Sequence, residues 1–372
     1  MGIKTDYNSK ILAMTTKTNK LDFSGQNIYI GLDTHKNSWK VTILTDTISH
    51  KTFSQNPDPE VLCNYLVRNF PGATYYSAYE ASYCGFWIHN RLTELGIKSI
   101  IVNAGDIPTT NKEKVQKEDK RDSRKIAKCL RNGELLPIYI PSQRNLEDRN
   151  LMRIRLMIAK DTRRIKNRIR SLLFFYGISV PERFKDLTNP WTNKYIQWIE
   201  SIDIIENNAK ESLNILLTEC KMLRSFDLET LQKIRGLSQT DKYREQVRLL
   251  LTIPGIGLKT AMLILTELFC IDRFKTLDQL CSYVGIIPST RSTGDNEIVG
   301  DITPRGHNIL RSAIIESAWI AVRADPALNL AYNTLCKKMK ANKAITRIGK
   351  KLLNRIRYVL LNQHEYVGAL VK

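Results

Sequence analysis

Residues 117–130, KEDKRDSRKIAKCL, place two carboxylates, Asp119 and Asp122, one helical turn apart among lysines and arginines. On a helix, positions i and i+3 share a face with Cβ atoms about 5–6 Å apart, close enough for one divalent cation or a pair to be shared. Without a cation, carboxylates that close repel each other, so an isolated DxxD reads as a solvated helix of mixed charge. Two more acids change that reading. Asp33 closes the first strand-like run and Glu80 the fourth. Four acids from three sequence-distant elements, in a chain short of acid, point to one metal site. Hard carboxylate oxygens suit Mg²⁺, and two such ions about 3.5–4 Å apart can hold the attacking and leaving oxygens of a phosphodiester. His35, two residues from Asp33, reads as a turn histidine.

The elements that must position these acids follow from the apolar pattern. Residues 28–32, 39–45 and 48–53 read as a three-stranded antiparallel meander, with residues 33–37 forming its first turn. A helix is expected over 58–69, a strand over 74–79 running into Glu80, a helix over 85–95, a strand over 99–102, and then the helix that holds Asp119 and Asp122. Three strands followed by alternating helix and strand is the order of a ribonuclease-H-like mixed sheet. Strands one and four are neighbours there, so Asp33 and Glu80 open on one site and the helix closes it. Pro137 and Pro141 bracket an extended link that ends this domain. The expected organisation is α/β followed by all-α: a flexible basic tail over 1–26, the ribonuclease-H-like domain over 27–140, a helical coiled-coil region over 141–240, and a mainly α-helical C-terminal domain over 241–372.

Charge names the partner class. The 372 residues carry 57 Lys and Arg against 37 Asp and Glu, a net +20, and the usual partner of such a surplus is a phosphate backbone. No apolar run approaches the ~18 residues that span a bilayer, and no signal-type apolar segment opens the chain; the expectation is a cytoplasmic protein with no membrane partner. Seven cysteines without a CxxC pair give neither a disulfide framework nor a zinc site. Between Arg153 and Arg170, eight basic residues face the single acid Asp161; this helix either lies along nucleic acid or presents a solvated coiled-coil face. Leu213, Leu216 and Leu217 fit a dimerisation or spacer module and fit packing within one chain equally well. From Pro326 to His364 there is no acid, which makes either a phosphate-tracking surface or a very basic solvated face.

Two further motifs carry chemistry. Pro254, Gly255, Ile256 and Gly257 read as a helix-hairpin-helix turn, where glycines permit the bend and N–H groups at a helix N-terminus meet a phosphate. Gly255, Gly257 and Lys259 are therefore candidate nucleic-acid contacts, and the spacing of a P-loop is absent. Hydroxyls in the Gly-, Ser- and Thr-rich loop expected over 285–306, among them Ser292 and Thr293, can attack a phosphodiester, with Arg291, Arg305 or Arg311 stabilising the charge. From spacing alone, most such clusters are plain loops.

Ile30-Gly-Leu-Asp33, Tyr79-Glu80-Ala, Lys117-Glu-Asp119-Lys-Arg-Asp122, the Pro-Gly-Ile-Gly turn and the 285–311 stretch together resemble the DEDD-type transposases of bacterial insertion sequences, the bridge-RNA-guided recombinases. The resemblance runs along nearly the whole chain in the family's order. It implies a Holliday-junction-resolvase-like catalytic domain holding Mg²⁺ on Asp33, Glu80, Asp119 and Asp122, then a coiled-coil dimerisation region, then a C-terminal transposase domain whose serine becomes covalently linked to DNA. It also implies donor and target DNA, a structured noncoding guide RNA, and a homo-oligomer: a dimer, and a tetramer in synapsis. Two positions depart from the pattern. Thr293 stands before Gly294, where the family usually has the nucleophilic serine, and Ser292 lies one residue earlier. Three readings stay open: Ser292 takes over, which we favour, or Thr293 serves, or this copy is impaired. Pro304 stands where the family often has lysine, with Arg305 as its substitute. The rival readings are a resolvase-like nuclease that uses water and a non-catalytic nucleic-acid-binding protein.

Overall fold

Strict alternation puts Ile28, Ile30 and Leu32 on one face of strand β1 (Asn27–Thr34), where all three are fully buried. The computed structural model describes residues 22–108, 119–185, 187, 190–203, 207–293 and 296–368, and it divides into two units, Met1–Ile140 and Pro141–Lys372. In the first unit β1 joins β2 (Trp39–Thr45), β3 (Ser49–Gln55), β4 (Thr74–Glu80) and β5 (Lys98–Val102) in one sheet of order β3-β2-β1-β4-β5. β1, β2 and β3 pair antiparallel; β1, β4 and β5 pair parallel. This is a mixed sheet with the strand order of the ribonuclease-H-like expectation. Leu62 and Leu66 of the helix Pro59–Asn69, and Ile88 and Leu92 of the helix Trp87–Glu94, cover the face bearing Ile28, Ile30 and Leu32.

The helix Asp119–Arg131 packs against β1, β2 and β4. Ile126 and Cys129 pack with Ala78 of β4 and Val102 of β5. Its seat is a missing side chain. A Cβ built on Gly31 would lie 2.0 Å from the Ser123 carbonyl oxygen and 2.5 Å from the Ala127 nitrogen, so helix backbone rests directly on strand backbone. Beside that contact the fully buried Ser123 hydroxyl pairs with Thr42 Oγ1 of β2 at 3.0 Å, and Thr42 pairs in turn with Thr52 of β3 at 3.0 Å.

Two boundaries in this unit differ from the expected ones. β1 runs on through Thr34, with Asp33 opposite Lys40 and Thr34 opposite Trp39, so Asp33 lies in the ladder and not in the turn. β3 likewise continues to Gln55. Both extensions are polar, and a polar side chain does not end a strand while the neighbouring strand still supplies backbone partners.

In the second unit a 33-residue helix, Gln143–Phe175, lies along the helix Asn207–Ser238. Leu213, Leu217 and Cys220 are buried with Ile165, Ile169 and Leu173 and with Tyr195 and Ile199 of the short helix Asn193–Glu200. The leucine period is thus met within the chain. The helix Leu258–Leu268 is buried throughout from Ala261 onward, apolar there except for Thr266 and Glu267. Around it stand the helices Arg244–Leu251, Leu277–Val284 and Asn308–Ala324. The basic stretch, whose pattern predicts one helix over about 328–361, forms two, Pro326–Cys336 and Ala341–Asn362, broken over 337–340, three of which are lysines. No helix among the described residues is long and apolar enough to cross a membrane.

The 285–306 stretch, expected as a loop, forms an antiparallel hairpin of β6 (Pro288–Thr293) and β7 (Asn296–Ile302). Its strands carry Ser, Thr, Arg, Asn and Glu among few apolar residues, which hides the strand pattern. The roots of the hairpin are clamped where Gly285 and Gly306 cross: a Cβ on Gly306 would lie 2.4 Å from the Gly285 Cα. Thr303 N–H donates to the Ile287 carbonyl at 2.9 Å and His307 N–H to the Tyr283 carbonyl at 3.0 Å.

Behind that clamp lies Glu267, fully buried. Arg153 grips it with both arms, Nε to Oε1 at 2.7 Å and Nη2 to Oε2 at 2.8 Å, the strong fork geometry of a guanidinium on a carboxylate. His307 completes the set, with Nε2 3.0 Å from Oε2. Leu310 N–H donates to His307 Nδ1 at 3.3 Å, so Nδ1 is the acceptor and Nε2 carries the hydrogen toward Glu267. Burial pushes the Glu267 carboxyl up, but the hydrogen bonds from His307 and Arg153 and the Arg153 charge outweigh it, and the net shift is downward.

Two expected outcomes follow. Gly31→Ala forces the Asp119–Arg131 helix off the sheet, a strain of roughly 1–3 kcal/mol, read as a lower urea midpoint. Because the folded Glu267 carboxyl titrates below the ordinary value of about 4.3, the unfolded chain binds more protons between the two values. Its contribution is full above the ordinary value and is lost as pH falls through the folded one. Wild type minus Glu267→Gln, followed by urea unfolding from neutral pH downward, therefore shrinks with acidification, from on the order of 3 kcal/mol at neutral pH. A difference that stays constant would contradict the assignment.

Candidate active site

Parallel pairing brings two acids side by side. Leu32 pairs with Tyr79, so Asp33 and Glu80 come one residue further at the same end of adjacent strands. Tyr79 anchors β4 there: it is fully buried, and its hydroxyl accepts a hydrogen bond from His89 N–H at 3.0 Å. Burial pushes the Tyr79 hydroxyl far up in pKa and His89 down, so both are neutral packing groups near neutral pH.

Asp33, Glu80 and Asp122 line one cavity of about 600 Å³, together with Thr34, His35, Lys40 and Tyr83. Asp122 reaches it from the residue before Ser123, so the Gly31 contact and the Ser123–Thr42 pair set its position. The Asp33 side chain is 18% exposed, and His35 Nδ1 lies 3.2 Å from its Oδ1; the turn histidine orients the carboxylate. Lys40 Nζ donates to Ser54 at 2.5 Å, holding a cation on the same cavity. Asp119 opens the helix one turn before Asp122, and its side chain lies outside the described residues. Among those described, no group of three His, Cys, Asp and Glu side chains is gathered closely enough to hold a metal ion. The donor set nevertheless fits a hard divalent cation in kind, with carboxylate oxygens from three elements on one cavity.

The candidates in the second unit separate by what they touch. Gly255 has φ +92°, and a Cβ there would lie 2.5 Å from the Ser317 carbonyl oxygen, so this glycine serves the turn and its packing on the helix Asn308–Ala324. Gly257 is open, with nothing within 4 Å of an added Cβ, and it caps the helix Leu258–Leu268 without a side-chain hydrogen bond. Lys259 beside it is exposed. Arg291, Ser292 and Thr293 lie on β6 opposite Ile298, Glu297 and Asn296; their side chains are outside the described residues. Arg305 is exposed. Arg311 donates to the Thr303 carbonyl at 2.8 Å and to Asn308 Oδ1 at 2.6 Å, and so braces the exit of β7.

Residue type alone passes over Gly31, Ser123, Thr42 and Tyr79, which place the acids. One signal was present: a glycine inside a strand marks a close backbone approach. Nothing in a lone serine or threonine announces the Ser123–Thr42 pair.

Comparison with known proteins agrees with this geometry. Residues 30–178 match the DEDD transposase family model, described as "Transposase", and residues 247–333 match that of the "Transposase IS116/IS110/IS902 family". The chain is 24% identical to the transposase for insertion sequence element IS1533 of Leptospira borgpetersenii, over 79% of this chain and 85% of that one. It is 24% identical to the transposase for element IS1111A of Coxiella burnetii, over 68% and 69%. A putative transposase of Sinorhizobium fredii is 26% identical over 66% of this chain, which spans 58% of that relative's length. With an acid-lined mixed sheet in the first matched segment and the clamped hairpin in the second, the chain belongs to the IS110/IS116 family of insertion-sequence transposases, a family of DNA-cutting and rejoining enzymes.

Proposed function

We propose that this chain is an RNA-guided recombinase that cuts and rejoins donor and target DNA through a covalent protein–DNA phosphodiester. The observation that carries the reading is the cavity on which Asp33, Glu80 and Asp122 converge from two strands and a helix. Those three and Asp119 would hold Mg²⁺. When bound, the metal supplies charge neutralisation and polarisation at the phosphoryl oxygens. Asp33 is oriented by His35, and Lys40 on the same cavity offers charge to the phosphate. The hydroxyl of Ser292, or of Thr293, forms a new O–P bond as the P–O3′ bond breaks, which leaves a free 3′ hydroxyl on the DNA. That hydroxyl, or one from the partner duplex, later attacks the protein-linked phosphate and returns the serine or threonine. Phosphodiester count is conserved at both steps, so rejoining needs no outside energy.

Family membership and the +20 charge support DNA as a partner, and the guide RNA is proposed beside it because the same charge suits either phosphate backbone. The outward Gly257 and Lys259 at an uncapped helix N-terminus support a helix-hairpin-helix phosphate contact. Ile215, Met222 and Phe226, spaced by seven and four, stay exposed on the helix Asn207–Ser238 and support a coiled-coil dimer, two of which make the synaptic tetramer. The reaction would take place in the cytoplasm.

Mass spectrometry of a trapped protein–DNA adduct tests the reading, with guide RNA, donor, target and Mg²⁺ present. The expected link is at Ser292, lost in Ser292→Ala and kept in Thr293→Ala. Asp33→Ala or Glu80→Ala lowers cleavage by about 10²-fold or more. Strand cuts without any adduct, at full rate in the Ser292→Ala, Thr293→Ala double variant, would show that water is the nucleophile.

A further inference from the structure

Between the helix Ala341–Asn362, the helix Pro326–Cys336 and the base of the β6–β7 hairpin runs a groove of about 1190 Å³. It exceeds the roughly 300–1,000 Å³ of small-molecule sites, so its size suits a stretch of polymer. The floor is aliphatic, with Leu277, Ile286, Ile287, Leu328 and Ala331. One wall is cationic. Lys340, Lys343, Arg347, Lys350 and Lys351 recur at helical spacing along a row of about 16 Å, while Ile345, Ile348, Leu352 and Ile356 bury the other side of the same helix.

The row is available. Lys343 pairs with Asp301 at 3.1 Å and Lys350 with Asp278 at 2.8 Å, but those acids are 85% and 80% exposed, and such surface pairs contribute little. The side chains of Arg347 and Lys351 are exposed and make no hydrogen bond or ion pair among the described residues. An acid-free helix that was merely solvated would not need an aliphatic trough beside it. A duplex offers phosphates but keeps its bases inside, leaving that floor bare. An unpaired strand offers both surfaces: phosphates to the row and base faces to the floor.

We propose that the groove takes a single DNA strand and leads it along the base of the hairpin that carries Ser292 and Thr293. The choice of DNA rests on the covalent reading above, since the strand a hydroxyl attacks must pass its hairpin; Pro288 and Gly300 to Ile302 of that hairpin form the second wall.

The test is fluorescence anisotropy of the full chain with a short labelled DNA strand, its duplex, and RNA of the same sequence, over a range of salt. The Arg347→Gln, Lys351→Gln double variant is expected to lower the slope of log affinity against log salt for the unpaired DNA by about 1.4, two contacts of about 0.7 each. Ala331→Glu, a carboxylate set into the floor, weakens the unpaired strand and spares the duplex. The proposal is overturned if both variants bind the strand as wild type does, if duplex and strand lose equally, or if only RNA binding falls. Adduct formation, scored separately, decides the hydroxyl chemistry: a strand lost from the groove variants with no adduct in wild type removes the covalent reading and leaves the groove standing.

Discussion

The candidate site depends on a place where two backbones touch. At Gly31 the strand has no side chain, and the helix that carries Asp122 sits down on the sheet until its carbonyl and amide groups fill the space. Strand pairing can bring Asp33 and Glu80 together by itself, because adjacent parallel strands end on the same side. It cannot bring the helix. That third wall needs the close approach at Gly31, the Ser123–Thr42 hydroxyl pair beside it, and the apolar patch of Ile126 and Cys129 further along. The acids line the cavity, and neutral groups set their place.

The second unit solves a related problem with charge. Its hairpin is polar and would be poorly held by hydrophobic contact alone. The two glycines that cross at its roots close it where the helix Leu277–Val284 has ended and the helix Asn308–Ala324 is about to begin. Glu267 of the buried helix Leu258–Leu268 then links the long basic helix, through Arg153, to the start of the helix Asn308–Ala324, through His307. A buried carboxylate is costly unless both oxygens are satisfied, and here both are. That requirement ties three elements to one geometry more sharply than aliphatic packing would.

Much of the sheet was legible in the residues, because β1 and β4 bury both faces and the helices between strands announce themselves by period. The edges were less legible. Asp33 looked like a turn residue because it is polar, yet the ladder to β2 carries it. The hairpin looked like a loop because its Ser, Thr and Gly content masks the strands. One basic helix proved to be two, since nothing in a run of lysines says where a chain bends. Leu213 and Leu217 could have faced another copy or their own chain, and periodicity cannot distinguish these; burial against Ile165 and Ile169 does. Of the candidate site, the three described acids were read from type and position, whereas of their supports only Gly31 left a local mark, a glycine inside a strand; the Ser123–Thr42 pair, 81 residues apart, left none.

The Pro-Gly-Ile-Gly turn looks like one word and carries two messages. Gly255 answers to the interior, pressed on the helix Asn308–Ala324, and Gly257 answers to whatever lies outside. The two obligations are separable. A descendant of this chain could drift at Gly257 and still fold, while drift at Gly255 would be removed with the fold itself. The fold therefore demands a glycine at one position of the motif and makes no such demand at the other.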